Sequence, residues 1–498
     1  MSAIITEKFR QHNANQFNES FTETAGNAYY LFLGKATPFT SGTTSGSDSS
    51  PPTPQDGEQD ETRAWDSMLA AKKITSSDIS FAIPRRNWAT GTTFDMYEHN
   101  ISSSNTTTSG ASNLYDSTFY FVTSTYNVYK VLDNNGGTAY DGAEPTSTST
   151  SPFELGGYVL KYMYNITTSE IGKFVTTDFV PVSTDSTVSA AATDGGIESL
   201  KITTGSGYTD GTYYAAVYGD GTSQGTSSGA IVRITVSSGA IAAFGLTAGT
   251  DTTVHATGAG YTFGYVNLGA GYTFSDSSLS SASNMGGSGG AVEVIISPEG
   301  GHGSNAVTEL GGHYLMTATT ISQAENDDFS TANDFRTVGI VVDPTNYGTT
   351  TVATATTARQ TFAVKFASST GVFEADEVIT QASTGAVGKV VEWDSTLSIL
   401  YYQQESFKGF GTNSTTGGLV AFSGTNLVTG ATSSATGTPS STSSETVTLA
   451  NSNTLTLTSG YANPELQADS GDIIYLENRK PIQRASDQTE DIKIIIEF

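Results

Sequence analysis

The chain closes on GDIIYLENRKPIQRASDQTEDIKIIIEF, residues 471–498, a stretch that differs in composition from the sequence before it. Ten of its 28 residues are charged, whereas charged residues make up only 14% of the whole chain. It predicts a strand from Asp472 to Leu476, a turn-prone ENRKPI, a polar DQTED and a final apolar strand, IKIIIEF. Charges beside strands define register and partner orientation, because a wrong pairing leaves charges unpaired. We therefore expect this stretch to lie at the margin of a domain core and at a contact between subunits.

Length and composition together predict a multidomain protein built from β-strands. A chain of 498 residues exceeds the size at which a single core stops growing, so about two to four domains are expected. Hydrophobic residues make up 36% of the chain, with 24 Tyr and 24 Phe, which excludes a wholly disordered polymer. Residues that favour strands and turns abound, and helix formers are scarce. The predicted fold class is all-β, with minor short helices.

The charge balance and the absence of cysteine exclude several classes of function. The formal net charge is −27 at pH 7 and the 22 basic residues are spread thinly, so the surface would repel nucleic acid and anionic membranes at range. Without cysteine there are no disulfides, thiolate metal sites or thiol catalysis. The N-terminus has no apolar core of signal-peptide length, and no later run approaches ~18 apolar residues. We expect a protein without an export signal or a membrane-spanning segment.

The first 185 residues predict a few short helices followed by a compact group of strands. Apolar residues at loosely helical spacing predict a short helix within residues 4–20, and AYYLFLGK predicts a strand after it. Residues 40–61 have almost nothing to bury and predict a flexible surface loop. WDSMLAAKK, residues 65–73, is interpreted as a second short helix. Between residues 113 and 182, the stretches STFYFV, YNVYKVL, GYVLKYMYNI and DFVPV predict strands joined by turns.

A short phrase recurs between residues 186 and 298, a region with few basic residues. GSGYTDG begins at Gly205, GAGYTFG at Gly258 and GAGYTF at Gly269. The glycines would supply turn conformations with positive φ, and each Tyr would pack at the start of the next strand. The region is therefore predicted to be a β repeat.

Two further stretches lie between residues 372 and 460. Residues 372–410 predict a small, self-contained, barrel-like module of hairpin strands whose apolar residues alternate with polar ones. Residues 411–460 consist largely of Ser, Thr and Gly. They predict either a linker or strands with weakly specified register.

The sequence carries no motif that predicts catalysis, a metal or a cofactor. His302 and His313 are eleven residues apart, with Glu309 as the one carboxylate at ligand spacing, whereas a zinc or iron site needs three or four convergent ligands. No G-x-S-x-G elbow is present, and GGHGSN lacks the ending of a phosphate-binding loop. Acid pairs such as Asp327 and Asp328 are interpreted as solvated surface. We expect a protein that is not an enzyme.

The adjacent arginines of IPRRNW are the most suggestive charges. Arg85 and Arg86, followed by Trp88, have two interpretations. They could bind a carboxylate-bearing partner through bidentate hydrogen bonds, or they could form an internal ion-pair network with acids of the tail. An internal or subunit-interface role is favoured, because no other basic residues reinforce the pair.

Several motifs, taken together and in their order along the chain, resemble those of a known protein family. They are IITEKFR at 4–10, FLGKATPF at 32–39, IPRRNW at 83–88, GYVLKYMYNI at 157–166, NDFRTVGIVVDP at 333–344, ENRKPI at 477–482 and DQTED at 487–491. In order and content they resemble the baseplate wedge protein called gene product eight in contractile-tailed phages of the T-even type. Residues 186–298 and 350–460 lie outside the resemblance and look like insertions.

The resemblance implies a structural protein of the virion tail baseplate, made in the host cytoplasm. It implies an all-β protein that forms a homodimer, sits in the wedge around the tail hub, binds other wedge proteins and catalyses nothing. It also implies a β-sandwich-like core built from both ends of the chain. The expected domains are the core at 1–90, a second β domain at 91–185, the inserted Gly-Tyr repeat at 186–298, more of the core at 299–350, an inserted barrel-like module with a Ser/Thr/Gly linker at 351–460, and the closing core strands at 461–498.

Ten residues within these motifs are candidates for a subunit interface or an internal polar network. They are Arg85, Arg86, Trp88, Arg336, Glu477, Asn478, Arg479, Asp487, Gln488 and Glu490. The wider expectation is that the two ends of the chain meet in space, so that the closing strands complete a sheet begun near the start.

A host-surface binder is the alternative function. In that interpretation Tyr208, Tyr261 and Tyr272 of the repeat would present stacking platforms to a carbohydrate. The competing interpretation makes the same tyrosines hydrophobic anchors of turns.

Overall fold

The computed structural model describes residues 5–23, 26–39, 46–221, 229–268, 285–325, 327–405, 419–449 and 452–498. The chain is mostly β, which confirms the predicted fold class. It divides into two compact units: the first comprises Met1–Gln16, Ser80–Met316 and Ile495–Phe498, and the second comprises Phe17–Ile79 and Thr317–Ile494. The finer subdivision expected from the sequence stays a prediction. No helix in the described part of the chain is long and apolar enough to cross a membrane.

The helices are short. They are α1 Glu7–Glu19, α2 Glu58–Ser67, α3 Thr168–Phe174, α4 Ser186–Ala191 and α5 Ala306–Glu309. The first of them confirms the helix predicted within residues 4–20, although residue 4 lies outside the described residues. α3 begins with a capping box, in which the side chains of Thr167 and Glu170 bind each other's main-chain N–H groups.

The strands number 29 in the described part of the chain. They are β1 Tyr29–Gly34, β2 Met68–Lys73, β3 Ile79–Pro84, β4 Tyr120–Val122, β5 Asn127–Asp133, β6 Phe153–Leu155, β7 Tyr158–Asn165, β8 Phe179–Pro181, β9 Ile197–Tyr208, β10 Gly211–Gly219, β11 Ile231–Ser237, β12 Ala240–Ile241, β13 Thr253–Ala256, β14 Gly264–Val266, β15 Gly286–Ile296, β16 Tyr314–Ser322, β17 Phe335–Val342, β18 Thr357–Arg359, β19 Phe362–Thr370, β20 Val378–Gln381, β21 Ala386–Asp394, β22 Ile399–Gln403, β23 Val428–Gly430, β24 Thr436–Pro439, β25 Glu445–Thr448, β26 Thr454–Leu457, β27 Tyr461–Ala462, β28 Asp472–Ile482 and β29 Thr489–Glu497.

A five-stranded antiparallel sheet lies at the centre of the second unit. Its strand order is β18-β2-β1-β17-β28. All eight residues of β17 are buried, and it pairs with β1 on one side and with β28 on the other. Leu31 on β1 lies opposite Ile340 on β17, which in turn lies opposite Tyr475 on β28. A strand from the tail of the chain therefore completes the sheet to which β1 belongs.

The predicted helix at residues 65–73 is wrong beyond Ser67. Helix α2 ends there, and Met68–Lys73 forms the inner strand β2, paired with β1 and β18. The first four residues of β2 are all buried. A short apolar run fits a buried inner strand as well as a helix, so periodicity alone could not decide between them.

A closed barrel forms the other large part of the second unit. Strands β22-β21-β20-β23-β24-β19 follow one another, and β19 pairs back with β22. The predicted barrel is therefore present, but it is not confined to residues 372–410, because β19, β23 and β24 come from outside that range. Within residues 411–460 the described part forms strands β23–β26, which agrees with the alternative of strands and not with a linker. Residues 411–418 and 450–451 lie outside the described residues.

The first unit contains the strands predicted between residues 113 and 182. They form the sheet β4-β5-β7-β6, whose core is rich in buried Tyr and Phe, while β8 pairs with β3. The Gly-rich region adds a long two-stranded ribbon of β9 and β15, and a sheet in the order β12-β11-β10-β14 with β13 also paired to β11. The closing strand β29 is a neighbour of β16 in a further sheet.

The glycines of the two described Gly-x-Gly-Tyr phrases have the positive φ that the sequence predicts, but the first phrase lies within strand β9 and not in a turn. Gly205 and Gly207 in the first copy, and Gly258 and Gly260 in the second, all have positive φ. A side chain would be strained in that region, so glycine is required there. The copy that begins at Gly269 lies outside the described residues.

The centre of the five-stranded sheet leaves no space for a side chain at Gly339. An added Cβ would collide with the ring of Phe32 on β1 and would lie 2.6 Å from the main-chain oxygen of Tyr475 on β28. We expect Gly339→Ala to lower the free energy of unfolding of the second unit by about 1–3 kcal/mol. Scanning calorimetry would measure the fall in melting temperature. Gly172→Ala on α3, where no atom lies within 4 Å of the added Cβ, is the control and should not melt earlier. Unchanged melting of Gly339→Ala would contradict the close packing.

Candidate functional site

Arg336 on β17 is buried, and its guanidinium has an acceptor for each N–H group. Nε and Nη2 donate to the two carboxylate oxygens of Asp48, each at 3.0 Å. Nη1 and Nη2 donate to the two oxygens of Asp334 at 2.8 and 2.9 Å, and Nη1 also donates to the Ala36 carbonyl at 2.5 Å. One guanidinium thus holds two carboxylates in fork geometry, which lysine cannot reproduce.

These contacts shift the pKa of Arg336 and the pKa of Asp48. Burial alone would lower the pKa of Arg336, but the hydrogen bonds to Asp48 and Asp334 outweigh it and raise the pKa. The hydrogen bond from Arg336 is the largest cause of the lowered pKa of Asp48. Both groups are therefore held in their charged forms, and the network is a fixed structural element.

The same network fixes part of a segment that the sequence predicts to be a flexible loop. Asp48 also accepts a hydrogen bond from the main-chain N–H of Phe39 at 2.8 Å. The side chain of Asn478 on β28 donates to the Pro52 carbonyl at 2.9 Å. The prediction of a flexible loop is therefore wrong for residues 46–57, because this segment is bound to β17 and β28. From residue 58 the chain forms helix α2. Residues 40–45 lie outside the described residues.

The charges of ENRKPI occupy two environments on β28. The Asn478 side-chain oxygen accepts from the Thr337 hydroxyl at 2.9 Å. Glu477 and Arg479 are roughly half exposed and lie 3.4 Å apart, and the Tyr475 hydroxyl donates to Glu477 at 2.8 Å. Of the three motif residues, Asn478 is the one that ties β28 to other segments.

In DQTED, Glu490 is buried while Asp487 and Gln488 are exposed. Glu490 accepts from Arg484 Nε at 3.1 Å and from Arg484 Nη2 at 2.9 Å. Arg484 Nη1 also donates to the carbonyls of Phe329 and Ser330, both at 3.1 Å. Sequence reasoning missed Arg484, although the charge density of the tail was the signal that could have found it.

The IPRRNW motif binds main-chain carbonyls. Arg85 Nη1 donates to the Thr176 carbonyl at 2.9 Å, and Arg86 Nη2 donates to the Tyr115 carbonyl at 2.6 Å. The Arg86 guanidinium also lies 4.4 Å from the centre of the Tyr120 ring. These contacts agree with an internal role. They differ from the expected pairing of the arginines with carboxylates of the tail.

Trp88 has an internal role as well. It packs against the aromatic core of the first unit, with its ring perpendicular to that of Tyr140 at 6.0 Å. Its indole N–H is buried and has no hydrogen-bond partner among the residues that the structure describes.

A buried charge cluster in the first unit was not predicted. Lys130 Nζ on β5 lies 3.0 Å from Glu309 Oε2, 2.9 Å from His302 Nδ1 and 3.8 Å from the centre of the Tyr97 ring. Burial lowers the pKa of Lys130, although Glu309 opposes that shift. Burial, together with the charge of Lys130, holds the pKa of His302 well below its usual value, so His302 is neutral. No local pattern in the sequence predicts this cluster, because Lys130 and Glu309 are 179 residues apart.

A second cluster joins the two ends of the chain within the first unit. Arg10 on α1 donates to Glu497 at 2.9 Å and lies 3.5 Å from His313 Nε2. Glu7 lies 3.2 Å from His313 Nδ1, and the main-chain N–H of Phe498 donates to the His313 carbonyl at 3.2 Å. These contacts bring the N-terminal helix beside the last residues of the chain.

The structure rules out two of the three proposed stacking platforms for a carbohydrate. Tyr208 and Tyr261 are buried in the core of the Gly-rich region. The Tyr208 hydroxyl accepts from the Gly290 N–H at 3.0 Å, and the Tyr261 hydroxyl accepts from the Ala230 N–H at 3.1 Å. Both are hydrophobic anchors, as the competing interpretation expected, but Tyr208 lies at the end of strand β9 and not in a turn, whereas Tyr261 lies in the loop between β13 and β14. Tyr272 lies outside the described residues.

The remaining polar clusters do not supply a metal centre. Across the described ranges, no group of three or more His, Asp or Glu side chains is arranged to hold a metal ion. The expectation that the chain is not an enzyme remains a prediction.

The paired guanidinium of Arg336 gives a direct test of the network in the second unit. We expect Arg336→Lys to destabilise that unit by about 2–4 kcal/mol, because two carboxylates would lose their bidentate donor in a buried site. Chemical denaturation would measure the loss. Arg479→Lys, which alters the half-exposed pair with Glu477, is the matched control and should cost at most about 0.5 kcal/mol. Equal effects of the two substitutions would refute a structural role for the buried network.

The cluster at the chain ends predicts a dependence of stability on pH. Burial is the largest cause of the lowered pKa of His313, with Glu7 opposing and Arg10 reinforcing the shift. The unfolded chain takes up this proton near pH 6.5 and the folded chain only at lower pH, so stability falls as the pH drops below about 6.5. Between pH 7 and 5.5 we expect the wild type to lose up to about 1 kcal/mol more stability than His313→Gln. Denaturation curves at both pH values measure this, with His12→Gln, at an exposed position, as the control. Identical pH dependence in all three proteins would contradict the assignment.

The two terminal segments of the chain match a family of bacteriophage proteins. The model described as Bacteriophage T4, Gp8 matches residues 3–148 and 442–498. These two segments include β1, β2 and β28 of the five-stranded sheet, as well as Asp48, Arg484 and Glu490. Residues 149–441 lie outside the match. A comparison with curated proteins found no match. The two terminal segments of the chain are thus similar to the Phage-Gp8 family, a family of structural proteins of the bacteriophage tail baseplate.

Proposed function

We propose that the chain is a non-catalytic subunit of the baseplate wedge, which forms a homodimer and binds other wedge proteins around the tail hub. The observation that carries this proposal is the family match to both ends of the chain, which contribute β1, β2 and β28 to one sheet. A subunit that transmits force needs its ends fixed in one body, and here β17 pairs with β28 of the C-terminal segment while Arg336 on β17 binds Asp48 of the N-terminal segment. The buried pair of Arg484 with Glu490 lies within a matched segment.

The N-terminal segment supplies a surface for a subunit contact. Ile5 and Phe9 are 64% and 54% exposed, and both lie within the matched residues 3–148. Large apolar side chains that stay in water near each other favour burial against another protein. We propose that these two residues contribute to a contact with a neighbouring subunit.

This contact can be tested with purified protein. We expect the wild type to sediment as a stable homodimer at micromolar concentration. The double variant Ile5→Asp, Phe9→Asp should keep the wild-type melting temperature and lose at least about tenfold in affinity, either for the second copy or for the other wedge proteins, since charged groups would have to be buried in the contact. Val372→Asp is the matched control, because Val372 is 67% exposed but lies outside the family match.

Complementation links the binding measurement to the virion. In a phage that lacks this chain, the wild-type protein and Val372→Asp should restore tails with complete baseplates in electron micrographs, whereas the double variant should restore few. Wild-type protein that sediments as a monomer would contradict the dimer. Normal binding and full restoration by the double variant would show that Ile5 and Phe9 are not a contact.

A further inference from the structure

The Lys130–Glu309 pair is an ion pair from which water is excluded. The two side chains are 0% and 1% exposed. In water an ammonium and a carboxylate do not condense, largely because hydration stabilises the separate ions. Burial removes that hydration at a cost of several kcal/mol per ion, and an amide would carry no charge at all. Compared with water, the buried site therefore shifts the equilibrium from the ion pair towards the amide.

The groups around the pair are placed as a general base and an oxyanion site. Lys130 has only N–H donors, so His302 Nδ1 accepts the 2.9 Å hydrogen bond, and the neutral ring carries its own proton on Nε2. The other carboxylate oxygen, Glu309 Oε1, accepts from the main-chain N–H of Gly303 at 2.7 Å and of Asn305 at 3.3 Å. Two main-chain donors on one oxygen are the arrangement that stabilises a tetrahedral intermediate.

We propose that Lys130 and Glu309 condense spontaneously after folding to form an intramolecular amide bond, with His302 as the base. The ammonium of Lys130 passes one proton to His302 Nδ1, and its nitrogen lone pair attacks Glu309 Cδ. Negative charge collects on Oε1, where the two N–H groups hold it. The nitrogen then passes a second proton to Oε2, and His302 returns the first proton to the same oxygen. The Cδ–Oε2 bond breaks and Oε2 departs as water. The balance is one ammonium and one carboxylate giving one amide and one water, with His302 unchanged and no other reactant.

The chain contains a second buried pair that serves as an internal comparison. Lys161 lies 3.4 Å from Glu198, and the Glu198 side chain is partly open to solvent. Water at that carboxylate keeps the ionic form favourable, so we expect this pair to remain an ion pair.

The amide would join β5 to helix α5 across 179 residues, a span that contains the whole Gly-rich region. The two ends of that region would then stay attached to the same body when the unit is pulled. This consequence does not depend on the proposed function.

Mass spectrometry of the denatured wild-type chain tests the proposal. We expect an intact mass about 18 Da below that of the sequence, equal to one water. Tandem spectra of a protease digest should contain one branched peptide that joins Lys130 to Glu309. The full sequence mass, or a loss of water located elsewhere such as a cyclised Asp, would overturn the proposal. The measurement needs no variant and so does not depend on whether a substituted chain folds.

Variants separate the roles of the three residues. Lys130→Arg should abolish the branched peptide, whereas Lys161→Arg should leave it unchanged. In His302→Gln, refolded from denaturant and sampled over time, we expect the amide to form at least about tenfold more slowly, because the base is missing. If the amide forms in His302→Gln at the wild-type rate, His302 is not the base. If Lys161→Arg removes the branched peptide while Lys130→Arg keeps it, the assignment to Lys130 is wrong.

Discussion

The pairing of β17 with β1 on one side and β28 on the other is the constraint on which the second unit depends. An inner strand with all its side chains buried and both edges paired has no freedom of register, because a shift of one residue would move every side chain to the opposite face. Since β1 comes from the start of the chain and β28 from its end, this pairing brings the two family-matched segments into one sheet.

Buried charges restrict how the chain can be arranged around this apolar sheet. Arg336, Arg484 and Lys130 are themselves buried and each bind carboxylates, whereas the half-exposed pair of Arg479 and Glu477 adds little. A buried pair is not a strong source of net stability, because dehydration of the ions opposes their attraction. Its effect is selective: an alternative arrangement would leave an unpaired charge in the interior. In a chain with few charges, placing them in this way limits the number of competing structures.

Local chemistry explains which features could be predicted from the sequence. The strand-favouring residues of YNVYKVL and the glycines of the Gly-x-Gly-Tyr phrases act locally, so β5 and the positive φ at Gly205 and Gly258 could be predicted from them. The segment MLAAKK carries no such instruction, and only its neighbours in the sheet decide that it is a strand. The closure of the barrel by β19 with β22 and the meeting of Lys130 with Glu309 are non-local, which puts them beyond single-sequence reasoning. Arg336 and Glu490 were identified through the family motifs, but their partners Asp48 and Arg484 were not.

The closure of the barrel of β19 to β24 limits association between copies of the protein through strand edges. A sheet with open borders offers unpaired main-chain groups on which a neighbouring copy can stack, and such stacking can propagate into fibrous aggregates. In this barrel every strand has a partner on both sides, because the last strand returns to the first. The barrel strands β23 and β24 of the region rich in Ser, Thr and Gly thus present no unpaired edge to a neighbouring copy.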